Sequence, residues 1–218
     1  MIGTYIPQDL PGRHFVVSDI HGCLRTFESL LFEKIQLKKE DQLFLLGDYV
    51  HRGPDSKGVL DLIMDLQKKG YAVFPLKGNH EVMYLNEKAA WLPQKYIDFI
   101  KSLPYYIETR DFYFVHAGFN FSAPNPLEDT RSMLWGAYFR SEPDMDFLRH
   151  KKVIHGHTKH SLSDIFDAVV NKETIIPLDN GCYEGQRGEA MERGNLCAID
   201  LDKFEVIVQE NVDVKVLK

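Results

Sequence analysis

Three times within the first eighty or so residues, a short and continuously apolar run ends in a polar cluster containing glycine. Phe15-Val16-Val17 leads into Ser18-Asp19-Ile20-His21-Gly22, and Leu43-Phe44-Leu45-Leu46 into Gly47-Asp48-Tyr49-Val50-His51-Arg52-Gly53-Pro54. Ala72-Val73-Phe74-Pro75-Leu76 leads into Lys77-Gly78-Asn79-His80-Glu81. Short apolar runs without alternation read as strands buried on both faces, the condition of a parallel sheet covered on each side. Carboxylates, imidazoles and a guanidinium at the ends of such strands add nothing to packing and are costly to desolvate. In open α/β sheets, ligands bind outside the carboxyl ends of the strands. The three loops are therefore expected to converge on one metal site with Asp48 in the middle.

Helical spacing fills the gaps between these runs. Leu24, Phe27, Leu30 and Leu31 share a face up to about Ile35, and Val59, Leu60, Ile63, Met64 and Leu66 share another after Pro54. The second helix stops at Lys68-Lys69-Gly70, with cations at its negative end and glycine beyond. Two successive strand–helix–strand units predict a parallel sheet with right-handed crossovers. Residues 81–103 read as mostly helical with a break at Pro93, the aromatics Trp91, Tyr96 and Phe99 packing inward. Strands over 105–108 and 112–115 flank Thr109-Arg110-Asp111 as a hairpin that ends at His116-Ala117-Gly118. A short helix is expected over 133–138 within an irregular stretch, and 151–154 leads into His155-Gly156-His157-Thr158. The runs 165–170, 174–178, 196–201 and 204–209 read as strands, all within a single domain over 1–218.

Composition narrows the class. A chain of 218 residues, 44% hydrophobic and 27% charged, builds one sizeable core and is neither disordered nor membranous. A net charge of -6 gives no attraction for a polyanion, so no stable nucleic-acid complex is expected. Three cysteines without a CxxC spacing suit a reducing compartment. No apolar run approaches the roughly 18 residues of a membrane span, and the first thirteen residues lack the pattern of a secretion signal. Cytoplasm is the expected location, and oligomeric state has no signature.

The donor set points to transition metals. Asp19, His21, Asp48, Asn79, His116 and His157 mix oxygen and nitrogen ligands, which suits Mn, Fe or Zn better than Ca. Two ions about 3.5–4 Å apart, bridged by Asp48, would make a hydroxide at neutral pH and hold the oxygens of a transferring phosphoryl group. His155 and His160 compete with His157 for the last ligand position, the glycine before His157 favouring it. His80 is placed to protonate the leaving oxygen, and Arg52 to fork onto phosphate, with Arg131 and Arg140 as further clamp candidates.

DIHG at 19–22, GDYVHRGPDS at 47–56, GNHE at 78–81, HAG at 116–118, HGHT at 155–158 and, more loosely, LDNGC at 178–182 resemble, in order, the motifs of PPP-type (calcineurin-like) metallophosphoesterases. The likeness is specifically to the small bacterial and phage serine/threonine protein phosphatases. It implies a four-layer α-β-β-α sandwich with mixed sheets and a dinuclear centre on loops at one edge. Asp19 and His21 would bind the first ion, Asp48 would bridge, and Asn79, His116 and His157 would bind the second. His80 would be the general acid and Arg52 a phosphate contact. The implied reaction is hydrolysis of phosphomonoesters, on phosphorylated protein or small phosphoesters, by direct attack of metal-bound hydroxide.

Two positions depart from that pattern. His51 stands where these phosphatases carry an aspartate that orients the catalytic histidine. Asp55 or Glu81 would then replace that acid, or His51 would act as a neutral hydrogen-bond partner, or leaving-group protonation would be weaker. Ala137 stands where relatives often carry an arginine. Two rival functions follow. One is a hydrolase of dinucleoside tetraphosphates or related nucleotides, for which Phe119, Phe121, Trp135, Tyr138 and Phe139 supply aromatic surface. The other is a degenerate, non-catalytic binding module, favoured by His51 and opposed by the complete ligand set.

Overall fold

Apolar side chains on both faces of the central strands build two sheets around a shared interior. The computed structural model describes residues 2–7, 11–88, 90, 92–136, 142–185 and 193–213. The strands are β1 (Gly3–Tyr5), β2 (His14–Val17), β3 (Gln42–Leu45), β4 (Ala72–Pro75) and β5 (Tyr106–Glu108), followed by β6 (Phe112–Val115), β7 (Lys152–His155), β8 (Ile175–Pro177), β9 (Asn195–Asp200) and β10 (Glu205–Glu210). One sheet has the order β10-β9-β2-β3-β4 and the other β1-β5-β6-β7-β8. Each contains three neighbouring parallel strands, β2-β3-β4 and β6-β7-β8, with antiparallel pairs alongside. The sheets are mixed, as expected.

Alternation along each strand separates three apolar layers. Val16, Phe44 and Phe74 are in register across one sheet, Phe114, Ile154 and Ile176 across the other, and these rows face each other. Phe44 stacks on Phe114 with ring centroids 4.4 Å apart and on Phe74 at 5.3 Å. The opposite faces carry Phe15, Val17, Leu43 and Leu45 toward helices α1 (Leu24–Ser29), α2 (Ser56–Lys68) and α4 (Gln94–Ser102), and Tyr113, Val115 and Val153 toward α5 (Thr130–Trp135) and α6 (Met145–Leu148). A π-helical turn, Leu30–Lys34, continues α1, and α3 (Asn79–Lys88) follows β4. The result is the two-sheet, helix-flanked architecture that the motifs imply. Among the described residues no helix is long and apolar enough to cross a membrane.

Some local expectations differ from the structure. Residues 165–170 are not a strand but part of α7 (Leu162–Val170), because Ile165, Ala168 and Val169 share one buried helical face. Ser161 caps that helix with Asp164 in a reciprocal capping box. The short helix expected over 133–138 is α5, which starts earlier, at Asp129's cap onto Ser132 N–H. Helix α2 begins at Ser56, with Asp55 as its cap. Trp91, Ala137, Tyr138, Phe139 and Arg140 lie outside the described residues.

Candidate metal centre

The C-terminal ends of the six parallel strands meet at one edge of the sandwich. Loops after β2, β3 and β4 deliver Asp19 and His21, Asp48, and Asn79 and His80; loops after β6, β7 and β8 deliver His116, His157 and Asp179. Backbone bonds tie these loops together: Ile20 and His21 N–H donate to the Asp48 carbonyl, and Gly156 N–H to the His116 carbonyl. The approach is so close that a Cβ on Gly78 would sit 2.2 Å from Asp48 Oδ1, and one on Gly156 2.0 Å from Asp19 Oδ1. His21, Asp48, His51, Arg52 and His157 all take positive φ between 49° and 69°, a strained region for non-glycine residues that concentrates at functional sites.

Five of the six expected ligands face one another directly. His116 Nδ1 lies 2.9 Å from the Leu46 carbonyl, which only accepts, so the proton is on Nδ1 and Nε2 presents a lone pair. That Nε2 is 2.9 Å from Asn79 Oδ1 and 3.2 Å from His157 Nδ1, which is itself 3.1 Å from Asn79 Oδ1. The His157 ring donates to the Trp135 backbone, leaving Nδ1 as a further lone pair. Three acceptor atoms in mutual contact have no proton to share, and spacings near 3 Å match the edges of a metal polyhedron with bonds of about 2.1 Å. Asp48 joins this group through Oδ1, 3.5 Å from His116 Nε2, while its Oδ2 is 3.6 Å from His21 Nε2. His21 Nδ1 donates to the Val50 carbonyl, so its Nε2 is also bare. The two clusters, His21-Asp48-His80 and Asp48-His116-His157, thus share one carboxylate. Asp19, the sixth, stands beside them and accepts the His157 N–H at 3.0 Å.

The electrostatics agree with this donor set. Burial pushes His116 and His157 down to about 4 and His21 well below its usual range, so the rings are neutral at pH 7. Burial pushes Asp48 up to about 8 and Asp19 well above the carboxylate range, Asp179 and Asp48 adding to the shift of Asp19. Crowded buried carboxylates beside neutral imidazoles are a site built for cations, which offset the charge that burial penalises.

Around this centre the remaining candidates separate. His80 N–H donates to Asp48 Oδ1 at 2.9 Å, and its ring stands edge-on to His21. His51 Nδ1 is 2.9 Å from His80 Nδ1. Neither acid proposed to replace the missing aspartate reaches His80. Asp55 is committed to the α2 cap, and Glu81 accepts the N–H groups of Asp48, Tyr49 and Gly78 at 2.7–2.9 Å. Glu81 is instead a buried clip between the β3 and β4 loops. Arg52 stacks over the Tyr183 ring at 4.4 Å, and its charge is felt by His21, His80 and Asp48. Arg131 is exposed on α5 beside Asp129, and Arg140 lies outside the described residues. His155 and His160 stay outside the clusters, their rings 6.4 Å apart.

Two residues at the centre are absent from the sequence-based candidates. Asp179 is buried, accepts Gly181 N–H at 2.7 Å, and is pushed up to about 6 by burial. Its signal was the same as for the others, an apolar run (174–178) ending in a carboxylate. Tyr183 packs edge-on against His21 at 5.0 Å and is flanked by Arg52 and Lys159. Nothing in its sequence setting marks it.

Residues 13–207 match the calcineurin-like phosphoesterase family. Curated relatives include symmetrical bis(5'-nucleosyl)-tetraphosphatases of Wigglesworthia glossinidia brevipalpis, 41% identical over 73 residues, and of Acidovorax sp. (strain JS42), 44% over 71. Each match covers 33% of this chain and about a quarter of the relative (25% and 24%). Among solved structures, a "putative diadenosine tetraphosphatase" superposes with a TM-score of 0.67 at 22% identity, covering 98% of this chain and 99% of that one. A protein serine/threonine phosphatase from Saccharomyces cerevisiae superposes at 0.66 and 17%, covering 99% and 84%. The expected placement among small serine/threonine protein phosphatases is therefore corrected. The curated relatives named above are tetraphosphatases, and a protein serine/threonine phosphatase shares the fold alone.

Proposed function

The chain belongs to the calcineurin-like phosphoesterase family of metal-dependent hydrolases, and we propose that its substrates are dinucleoside polyphosphates or related nucleotides. The observation that carries this reading is a cavity of about 520 Å³ that opens beside His157, lined among others by Phe119, Phe121, Trp135, Thr158 and Pro177. Trp135 is 46% exposed at the rim of this cavity, so its ring face is open to a flat partner. A nucleobase has that shape, and base–aromatic stacking is worth about 1–3 kcal/mol. A single phosphoryl group on a peptide side chain has no use for such a cavity. The likeness to tetraphosphatases points the same way.

In this reading Asp19, His21 and Asp48 would hold one divalent ion, and Asp48, Asn79, His116 and His157 a second, with Mn the expected metal and Fe or Zn the alternatives. When bound, the pair supplies a nucleophile from water near neutral pH and positive charge against the phosphoryl oxygens. His80 is neutral in the free protein because burial pushes it down to about 4; beside the negative charge of a bound polyphosphate it would take a proton from solvent and donate it to the leaving oxygen. Arg52, pre-positioned on Tyr183, forks onto non-bridging phosphate oxygens. Asp179 adds negative charge beside Asp19 and Asp48 and so favours cation retention.

The test is a substrate panel on protein stripped with chelator and reloaded with Mn, Fe or Zn, metal content being measured in parallel. Diadenosine tetraphosphate, a phosphoserine peptide and p-nitrophenyl phosphate are compared by kcat/KM. The tetraphosphate is expected to lead by at least about tenfold, consistent with one stacked base. A higher kcat/KM for the phosphopeptide would overturn the reading.

A further inference from the structure

His51 has two ring nitrogens, and each faces a specific neighbour. Nδ1 is 2.9 Å from His80 Nδ1, a distance that requires one proton between the two rings. Nε2 is buried, lacks a hydrogen-bond partner, and lies 3.7 Å from Glu87 Oε2. The His51 backbone is fixed by donation to Ser56 Oγ at 2.9 Å, and its ring packs edge-on against Tyr84 at 5.2 Å. Tyr84 and Glu87 are three residues apart on α3 and so lie on the same helical face. The helix thus grips the imidazole from one side, with a carboxylate at its outer nitrogen.

We propose that Glu87 is a positioning residue that selects the His51 tautomer and, through it, holds His80 as proton donor. The carboxylate accepts from His51 Nε2–H after a closure of less than 1 Å. Nδ1 is then bare and accepts the His80 Nδ1–H, which leaves His80 Nε2–H free for the leaving oxygen. The other neutral tautomer aims a lone pair at the carboxylate and a proton at His80 Nδ1, so His80 could not carry its own proton there. The carboxylate that protein phosphatases place next to the catalytic histidine is in this chain set back by one imidazole, as His51 plus Glu87. This inference rests on the reading of His80 as general acid.

Glu87→Lys tests it. The side chain of Glu87 is half exposed and sits in the last turn of α3, where a lysine complements the helix dipole, so folding is retained. With manganese-loaded protein, kcat on phenyl phosphate, a poor leaving group, is expected to fall about tenfold, the low end for partners that act through a neighbour. On p-nitrophenyl phosphate, which needs little protonation, the fall stays under about twofold. KM and bound manganese stay unchanged. In a His51→Asp background the new carboxylate accepts the hydrogen bond from His80 Nδ1–H directly, so adding Glu87→Lys changes either rate by less than about twofold, a non-additivity that a merely structural role would not produce. Equal losses on both substrates, no loss on phenyl phosphate, or the same loss in the His51→Asp background would each overturn the inference while leaving the phosphoesterase reading intact. Absence of turnover on any phosphoester by the unmodified metal-loaded protein overturns that reading, and this inference with it.

Discussion

Asp48→Asn should stabilise the metal-stripped protein while destroying its capacity to hold a metal pair. Asp48 is 2% exposed, and burial raises its carboxyl from 3.8 to about 8. At pH 7 the carboxyl is ionised in the unfolded chain and largely protonated in the metal-stripped fold, and taking up that proton costs ~4 kcal/mol, at ~1.4 kcal/mol for each tenfold change in proton affinity. Asparagine removes the charge and keeps the Oδ1 acceptor for His80 N–H, and its new N–H₂ can donate to the bare His21 Nε2 now 3.6 Å from Oδ2. One amide proton is left without an obvious acceptor, which returns about 1–2 kcal/mol. The net gain is therefore about 2–3 kcal/mol at pH 7. The sign follows from a raised acid value. Asp48 costs nothing below pH 3.8, and its penalty grows as pH rises toward 8, so the advantage of asparagine vanishes near pH ~5, where the penalty equals what the amide returns, and is full above pH 8. Urea unfolding with chelator at pH 4.5, 7 and 8.5 measures this. Repeating it with manganese should reverse the order, because only the unmodified protein gains from binding. An Asn variant less stable than the parent in chelator at pH 7 or 8.5 would refute the reasoning.

Three further outcomes follow from the same geometry. His80→Asn should lower kcat by about 10²–10⁴-fold, the usual range for a lost general acid, with both metals still bound by elemental analysis; loss of metal instead would make His80 a ligand. Trp135→Ala should raise KM for diadenosine tetraphosphate about fivefold, a half-exposed stack lying near the low end of ~1 kcal/mol, and leave KM for p-nitrophenyl phosphate unchanged; a parallel rise in both would remove the cavity from substrate binding. Phe44→Ala, which empties the stack between the sheets, should cost about 3–5 kcal/mol by urea unfolding, and a cost under about 1.5 would mean that the sheets are not packed through this ring.

The strands were readable in the sequence because both of their faces are buried, so that Leu43–Leu46 or Val16–Val17 leave no polar alternation to confuse with a helix. The ligand loops were readable for a related reason: a carboxylate or imidazole directly after such a run has no packing role. Asp179 obeys the same rule and was passed over because Gly181 and Asn180 beside it also make an ordinary turn. Residues 165–170 read as a strand because Ile165, Val169 and Val170 are β-branched, whereas the Ser161–Asp164 capping box is a local helix signal that outweighs composition. Substrate class was illegible for a deeper reason. The motif loops carry the candidate metal ligands, whereas the cavity proposed to discriminate among phosphoesters is assembled by Phe119, Phe121 and Trp135 with residues after β7 and β8, which no local pattern reveals. The role of Glu87 is equally hidden, since α3 brings it to His51 only in three dimensions.

The centre belongs to neither sheet alone. Asp19, His21, Asp48 and Asn79 come from loops of one sheet, His116, His157 and Asp179 from loops of the other, and the polar contacts cross between them. His116 Nδ1 donates to Leu46 of the facing sheet, His157 N–H donates to Asp19, and Asn79 Oδ1 meets both imidazoles. Ligand spacing is therefore set by how far apart the sheets lie, which the Phe44–Phe114 stack and its neighbours decide directly beneath the loops. Interior packing adjusts in discrete steps rather than continuously, so the distance between the two ligand groups is held to the few tenths of an ångström that coordination demands. Free energy released when cations bind is correspondingly delivered across the sandwich, to the contact between sheets as much as to the loops. That coupling explains why so many strained backbones and buried charges can be tolerated at one edge. That cost would be offset when the ligand groups on both sides share bound metal ions.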